Sequence, residues 1–362
     1  MLKEIGSNFW LSQGDKEKSR IDDRIFNVGF EDKVFTSSGR SAISLILDEI
    51  GNNKRCAMLP SFTCESVIEP FLCHEYQIAY YSVDKELCIV KKRFMEEVKA
   101  NDPSVILIHN YFGFNTTSSI RDTIDELRRQ GIVIIEDITQ ILYSDFSRLP
   151  ANYYVGSFRK WAGIPDGGFA LKGDGVFTDK PTNEDELLTE TKVDAMKAKY
   201  NYLFHNTGNK NDFLKMFAKA EDVLERQKEI YRMSDISYRE QANLNIDSLK
   251  ERRRENFLFL LNNIKTSSIR PLFSYLPDDV TPLYFPVLCG ADRMLFQKWL
   301  RMNHIFAPIV WPKPDCIPDA VIREDCFYTD LLCIPCDQRY GVEEMKAIVD
   351  CIKSFKKTGV LV

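Results

Sequence analysis

The stretch Ile132-Val133-Ile134-Ile135-Glu136-Asp137 decides the fold. Its first four residues are apolar at every position, the pattern of a strand covered on both faces by helices. Two carboxylates close it at the strand's carboxyl end, where open α/β sheets place their ligands. Downstream stand Ser157-Phe158-Arg159-Lys160, then Trp161 to Asp166, then Gly167-Gly168. The interval from Asp137 to Lys160 leaves room for one short connection and one further strand. A carboxylate at a strand end and a lysine in a glycine-bordered turn are what a pyridoxal-phosphate site requires. The lysine would form the Schiff base, and the carboxylate would keep the pyridine nitrogen protonated so that the ring serves as an electron sink.

A length of 362 residues suits one large α/β domain with a smaller second one. Hydrophobic content of 44% supplies an ordinary globular core. A formal net charge of −5 argues against nucleic acid or an anionic membrane surface as main partner. It leaves a phosphorylated small molecule open, because one local anion site suffices for that. Met1 to Trp10 carries no apolar signal-peptide core, and no apolar stretch approaches the roughly 18 residues of a membrane span. The expectation is a soluble, cytoplasmic protein.

Ten cysteines are scattered, several within apolar runs such as Leu72-Cys73 and Val287-Leu288-Cys289. That suits reduced, buried thiols rather than a disulfide framework. Cys333-Ile334-Pro335-Cys336 matches C-x-x-C, but zinc needs a second ligand pair. The four histidines (His74, His109, His205, His304) do not supply one, so no metal is expected.

Along the chain, Phe26 to Phe30 suggests a short strand or an arm over a neighbouring subunit. Thr36-Ser37-Ser38-Gly39-Arg40-Ser41 opens a helix with Ile43, Ile46, Leu47 and Ile50 on one face. Hydroxyl residues and a glycine ahead of a helix cap it and leave free amides, a phosphate-binding geometry. Strands are predicted over 56–60, 77–83 and 104–108, and helices over 65–74, 91–100 and 118–130. This alternation specifies a doubly wound, mostly parallel sheet. No Gly-rich nucleotide loop follows any strand. Tyr111 and Phe112, after a strand end, could stack on a planar ring or pack in the core, whereas His109 reads as structural.

Residues 173–231 are polar, with helical pieces at Phe213 to Phe217 and Val223 to Ile230, and their charges read as solvated faces. A long helix then carries Arg252-Arg253-Arg254, read as solvated or facing a subunit. Leu283 to Leu288 reads as a strand whose proline suggests an edge. Met294, Leu295 and Trp299 share one side of a helix, and Met345, Ile348, Val349 and Ile352 form a stripe on the last one. The division is a large domain over 1–235, including a connecting region over 173–235, and a small C-terminal α+β domain over 236–362.

These residues together resemble the DegT/DnrJ/StrS family of pyridoxal-phosphate sugar aminotransferases, within fold type I. Ser38-Gly39-Arg40-Ser41-Ala42-Ile43 resembles the family's S-G-T-x-A-L turn, and Leu59-Pro60-Ser61-Phe62-Thr63 its P-x-x-T strand end. Glu136-Asp137-Ile138-Thr139-Gln140 is similar to E-D-x-x-Q, Lys160 keeps the spacing to Gly167-Gly168, and Arg232-Met233-Ser234-Asp235 matches R-M-S-D. Departures are Cys64 at the stacking aromatic, Val155 at a hydroxyl before the lysine, Ile230 at an asparagine lent to the partner subunit, and Arg40 at a threonine.

The resemblance implies that Lys160 and Asp137 are catalytic, with Gln140 near the ring's phenolic oxygen. Ser38, Gly39, Arg40 and Ser157 would anchor the phosphate of pyridoxal 5'-phosphate, with Tyr111 or Phe62 against its ring. It implies glutamate as amino donor, a nucleotide-linked keto sugar as acceptor, and a homodimer completing the site, in cell-surface polysaccharide or secondary-metabolite synthesis. Competing expectations are other pyridoxal-phosphate chemistry, such as a dehydratase, and a cofactor-free binding or regulatory subunit. The family's dehydratases replace this lysine with histidine, which counts against the first.

Overall fold

The structure, a computed structural model, describes residues 4–11, 17–51, 54–266, 269–322 and 327–355; Met1 to Lys3 of the N-terminal stretch lie outside them. Seven strands build the main sheet: β1 (Asp32–Thr36), β2 (Cys56–Pro60), β3 (Gln77–Tyr81), β4 (Val105–His109), β5 (Val133–Asp137), β6 (Tyr153–Ser157) and β7 (Gly168–Lys172). Their order is β1-β7-β6-β5-β4-β2-β3. Only β7 runs antiparallel to its neighbours. All five residues of β4 are buried, as its unbroken apolar run requires. The chain leaves β2 for the outer strand β3 and returns on the other side as β4. This reversal opens a crevice at the carboxyl ends of β2 and β4, the place where such sheets hold ligands.

Helices α1 (Gly39–Ile50), α2 (Glu65–Cys73), α3 (Lys91–Asn101) and α4 (Ile124–Arg129) connect these strands. Ser38 caps α1 by accepting from Ser41 N–H, and Ile43, Ile46 and Leu47 are buried. Four early expectations change. The helix predicted over 118–130 begins as a tighter turn, Ser118–Thr123, before α4. Phe26 closes a short helical turn, Asp23–Phe26, and is fully buried against Phe169, so this stretch packs on its own chain. The connecting region is a helical hairpin, α5 (Glu186–Tyr200) against α6 (Lys210–Glu225). Its charges are not all solvated, because Lys192 and Lys199 are buried.

The helix after Met233 is two, α7 (Asp235–Ala242) and α8 (Ile246–Asn263), because Asn245 caps a new start by accepting from Ser248 N–H. Arg253 on α8 is buried rather than solvated. It donates to the carbonyls of Pro282, Leu283 and Trp161 and lies over the Trp161 ring. Beyond it, β8 (Arg270–Pro271), β9 (Phe285–Leu288) and β10 (Leu331–Ile334) form an antiparallel sheet. Pro286 therefore sits in the central strand, not at an edge. Its carbonyl accepts from Leu272 N–H, and it has no donor to return. In α9 (Arg293–Met302) the buried face is Phe296 and Leu300, while Met294 and Leu295 are exposed. The predicted stripe of α10 (Val342–Ser354) is buried throughout. Strand β1 and α8 belong to the same continuous apolar core.

Candidate active site

The carboxyl ends of β4, β5 and β6, the turn after β2 and the start of α1 meet around a cavity of about 380 Å³. Lys160, Asp137, Ser38, Gly39, Arg40, Gln140 and Ser157 all line it. Lys160 ends a short helical turn, Phe158–Lys160. Phe158 and Trp161 on either side are fully buried, and Trp161 Nε1 donates to Thr139 O at 2.7 Å. The two large anchors fix the turn and leave Arg159 and Lys160 to face the opening. Gly168 lets the loop close on the sheet, since any side chain there would collide with the Ser38 carbonyl group. Gly39 in turn approaches Ser157, with 3.6 Å from its would-be Cβ to Ser157 Cβ. The helix N-terminus and the serine thus share one wall.

Lys160 sits among many protein atoms yet opens to the cavity, so its amine is reachable. Burial pushes its pKa down, the Arg159 cation beside it pushes further, and Cys64, Glu221 and Asp137 pull partly back. Burial also raises the Asp137 carboxyl, against the opposing pull of the Thr139 hydrogen bonds and Lys160. Thr139 N donates to Asp137 Oδ1 at 2.8 Å. His109, aligned with Asp137 on the neighbouring strand, is pushed down to about 4 by burial and is neutral at ordinary pH. Its Nε2 lies 3.3 Å from Thr63 Oγ1, and its buried Nδ1 has no partner.

Several placements differ from the sequence expectations. Tyr111 does not line the cavity; it is fully buried and its hydroxyl donates to Phe62 O at 2.7 Å. A satisfied hydroxyl and the stacked Phe62 ring hold it in the core. The aromatic groups at the wall are His109, Trp311 and Tyr284, and the first two rings meet edge to face at 5.6 Å. Cys64 lines the cavity at the start of α2 and contacts Ser66 Oγ at 3.0 Å. Arg40 faces the cavity too, but pairs with Glu69 at 2.9 Å. Gln140 Oε1 accepts from Phe112 N–H at 2.7 Å, so its NH2 is the group left for the cavity. Glu136, the other acid of the pair, is buried away from the cavity, bonds Leu149 N–H and is raised to about 8 by burial. Among the described residues the cysteines are free, and no group of side chains could hold a metal.

A second chamber of about 810 Å³ adjoins the first, sharing Arg159, Lys160 and Glu221 with it. Its other walls come from residues 6–9, the hairpin, and the β-sheet region after α8. No helix of the described residues is long and apolar enough to cross a membrane. The wall residues from α6 carried no motif, so that helix was not readable as part of the site.

No family model and no curated protein matches the chain by sequence. Solved structures match over nearly its whole length. The Helicobacter pylori PseC, an aminotransferase involved in the biosynthesis of pseudoaminic acid, superposes with a TM-score of 0.68 at 13% identity, covering 97% of this chain and 98% of that one. The S. venezuelae DesV, solved in complex with a ketimine intermediate, gives 0.65 at 15% identity over 96% and 90%. The sugar aminotransferase CalS13 of Micromonospora echinospora gives 0.63 at 16% identity over 90% and 87%. The chain therefore has the fold of these aminotransferases, a mixed α/β architecture with a large, mostly parallel sheet.

Proposed function

We propose that this chain is a pyridoxal-phosphate-dependent aminotransferase of the DegT/DnrJ/StrS type, taking an amino group from glutamate to a nucleotide-linked keto sugar. One observation carries it: Lys160 and Asp137, from different elements, line one cavity together with the α1 N-terminus and Ser157. The residues fit pyridoxal 5'-phosphate. The first-turn amides of α1 and the Ser157 hydroxyl suit its phosphate, and the Gln140 NH2 offers a polar contact to its ring. When bound, the cofactor supplies an electron sink for carbanion chemistry at the carbon bearing the amine.

The chain's own side chains do the rest. Asp137, held by Thr139 N–H, presents a carboxylate whose charged form a neighbouring pyridinium would favour. Lys160, its pKa lowered, can spend part of its time as a free amine and move a proton at the donor's α-carbon. Fully buried Phe158 and Trp161 hold that amine in place and keep water from beneath it. A lysine here supports aminotransfer over dehydration, because the lysine is what returns the proton. The fold shared with sugar aminotransferases supports a sugar acceptor. A homodimer and a cytoplasmic location belong to the same proposal.

The test is spectroscopic. Protein incubated with pyridoxal phosphate should turn yellow, and borohydride should fix the label on the peptide containing Lys160. In a separate, unreduced sample, glutamate should bleach the band and release 2-oxoglutarate. A protein that stays colourless, or a label on another lysine, would overturn the proposal.

A further inference from the structure

The wall between the two chambers holds an ion triplet that the proposed chemistry does not use. Arg159 Nη2 lies 2.9 Å from Glu221 Oε1, and Lys192 Nζ pairs with the same oxygen. Arg159 and Lys192 have little exposure, whereas the Glu221 side chain is 46% exposed, packed on one side and open to the chambers on the other. One buried and one partly buried cation thus share one carboxylate at the edge of open space. Apart from Lys160 and the exposed Arg301 of α9, the other charged groups of the second chamber are committed elsewhere. Arg339 pairs with Asp337, Lys210 with Glu4, and Arg253 donates to backbone carbonyls.

Position gives this triplet a meaning. An amino acid delivering its amine to the Lys160 position carries an α-carboxylate two bonds from that amine. The carboxylate must therefore come to rest beside Lys160. Arg159 is the adjacent residue, it lines both chambers, and its planar fork matches a carboxylate. The Glu221 carboxylate has the same chemistry as the group expected there, and it sits on α6, a helix of the hairpin rather than of the sheet.

Resting on the aminotransferase reading, we infer that Arg159 and Lys192 form the carboxylate subsite for the amino donor, and that Glu221 is an internal stand-in which the donor's carboxylate displaces. Removing the charge of Glu221 should then tighten binding of a free carboxylate, because the competitor is gone. If Glu221 only steadies Arg159, removing it should loosen binding. The two roles predict opposite signs.

Glutarate, a dicarboxylate with no amine to give, is the probe, titrated by calorimetry into protein incubated with pyridoxal phosphate. Expected is a dissociation constant about tenfold lower for Glu221→Gln than for the parent, and binding lost in Arg159→Gln. Unchanged or weaker binding in Glu221→Gln overturns the inference, as does full binding in Arg159→Gln. Should Glu221→Gln fail to fold, Glu221→Asp withdraws the carboxylate by one methylene and must shift the affinity the same way. Inorganic phosphate is the second arm: binding tighter than glutarate would assign the cation pair to a phosphorylated acceptor and overturn the donor assignment. Cofactor loading is scored separately by borohydride labelling of Lys160. Failed loading counts against the proposed function, while the glutarate titration still decides the role of Glu221.

Discussion

His109 and Asp137 are paired in register at the carboxyl ends of two adjacent parallel strands, and both side chains face the same cavity. One is a neutral imidazole with an unpartnered nitrogen, the other a carboxylate fixed by Thr139 N–H. Neighbouring strands in register place like-numbered positions side by side, so a flat ring lying across both ends would meet both groups. The reversal of strand order opens the sheet beside this pair, between β2 and β4.

Asp137→Asn keeps the shape and the acceptor oxygen while removing the charge. The expected outcome is near-normal uptake of pyridoxal phosphate with the glutamate-driven spectral change slowed by about 10²–10⁴-fold, the scale of a removed electrostatic stabiliser. Stopped-flow absorbance of the loaded protein measures it. A rate within about twofold of the parent would mean the carboxylate does not act on the ring.

Gly168→Ala tests the phosphate wall. The added methyl meets the Ser38 carbonyl group and the Gly39 nitrogen, backbone atoms that cannot rotate away. Strand β7 must separate from α1, and both stability and cofactor affinity should fall, the affinity by at least about tenfold. Ser157→Ala is the gentler companion. It loses one hydroxyl, which now donates to Gly167 O at 3.3 Å, and should keep the parent's melting temperature while weakening cofactor binding several-fold. Fluorescence titration with pyridoxal phosphate reads both.

Lys199 gives a prediction about pH. It is wholly buried and donates to Asn8 O, and burial with the nearby Arg339 lowers its pKa from 10.5 to about 7. Between those values the unfolded chain holds a proton that the folded chain releases, so this lysine makes stability rise with pH across that window. Its full cost is present below about pH 7. Lys199→Met should therefore be more stable than the parent by roughly 2–3 kcal/mol near pH 6, after the lost hydrogen bond is set against the gain. The advantage should shrink steadily towards pH 10 and beyond. Urea unfolding across that range would show it, and a pH-independent difference would contradict the burial account.

The central strand, the α1 cap and the Asp137–Lys160 relationship were legible because each rests on local pattern: an unbroken apolar run, hydroxyls before a helix, glycines after a lysine. The resemblance, carried on those short motifs, pointed to the same site. What escaped was set by tertiary contacts. Tyr111 carries a ring suited to stacking, but its hydroxyl finds a backbone acceptor in the core. Lys192 and Lys199 sit in a polar stretch that reads as solvated, yet the hairpin turns both inward. Pro286 reads as an edge residue because a lone strand does not reveal how short its second neighbour is. Glu221 has no motif at all, and only the packing of α6 brings it to the chambers.

Arg253 is the clearest case of such a contact, and the strongest stability prediction. The sequence offers three arginines in a row, and α8 points one of them inward to three carbonyl oxygens, the Gln338 amide oxygen and the Trp161 ring. Its planar fork spans acceptors on three separate segments, which a single ammonium cannot do. Arg253→Met would leave the Pro282 and Leu283 carbonyls without this donor, while the Trp161 carbonyl keeps only Gln338 Nε2 at 2.8 Å, and should cost about 3–5 kcal/mol. Arg253→Lys should recover less than half of that loss. Because one of the carbonyls belongs to Trp161, the residue after Lys160, the methionine variant should also change Trp161 fluorescence and slow borohydride fixation of the cofactor at Lys160. The neighbouring Arg252, paired only with Glu255 on the exposed face, is the internal comparison: Arg252→Met should change stability by less than about 1 kcal/mol. Equal losses in the two variants would mean that burial of Arg253 contributes nothing to holding the lysine turn.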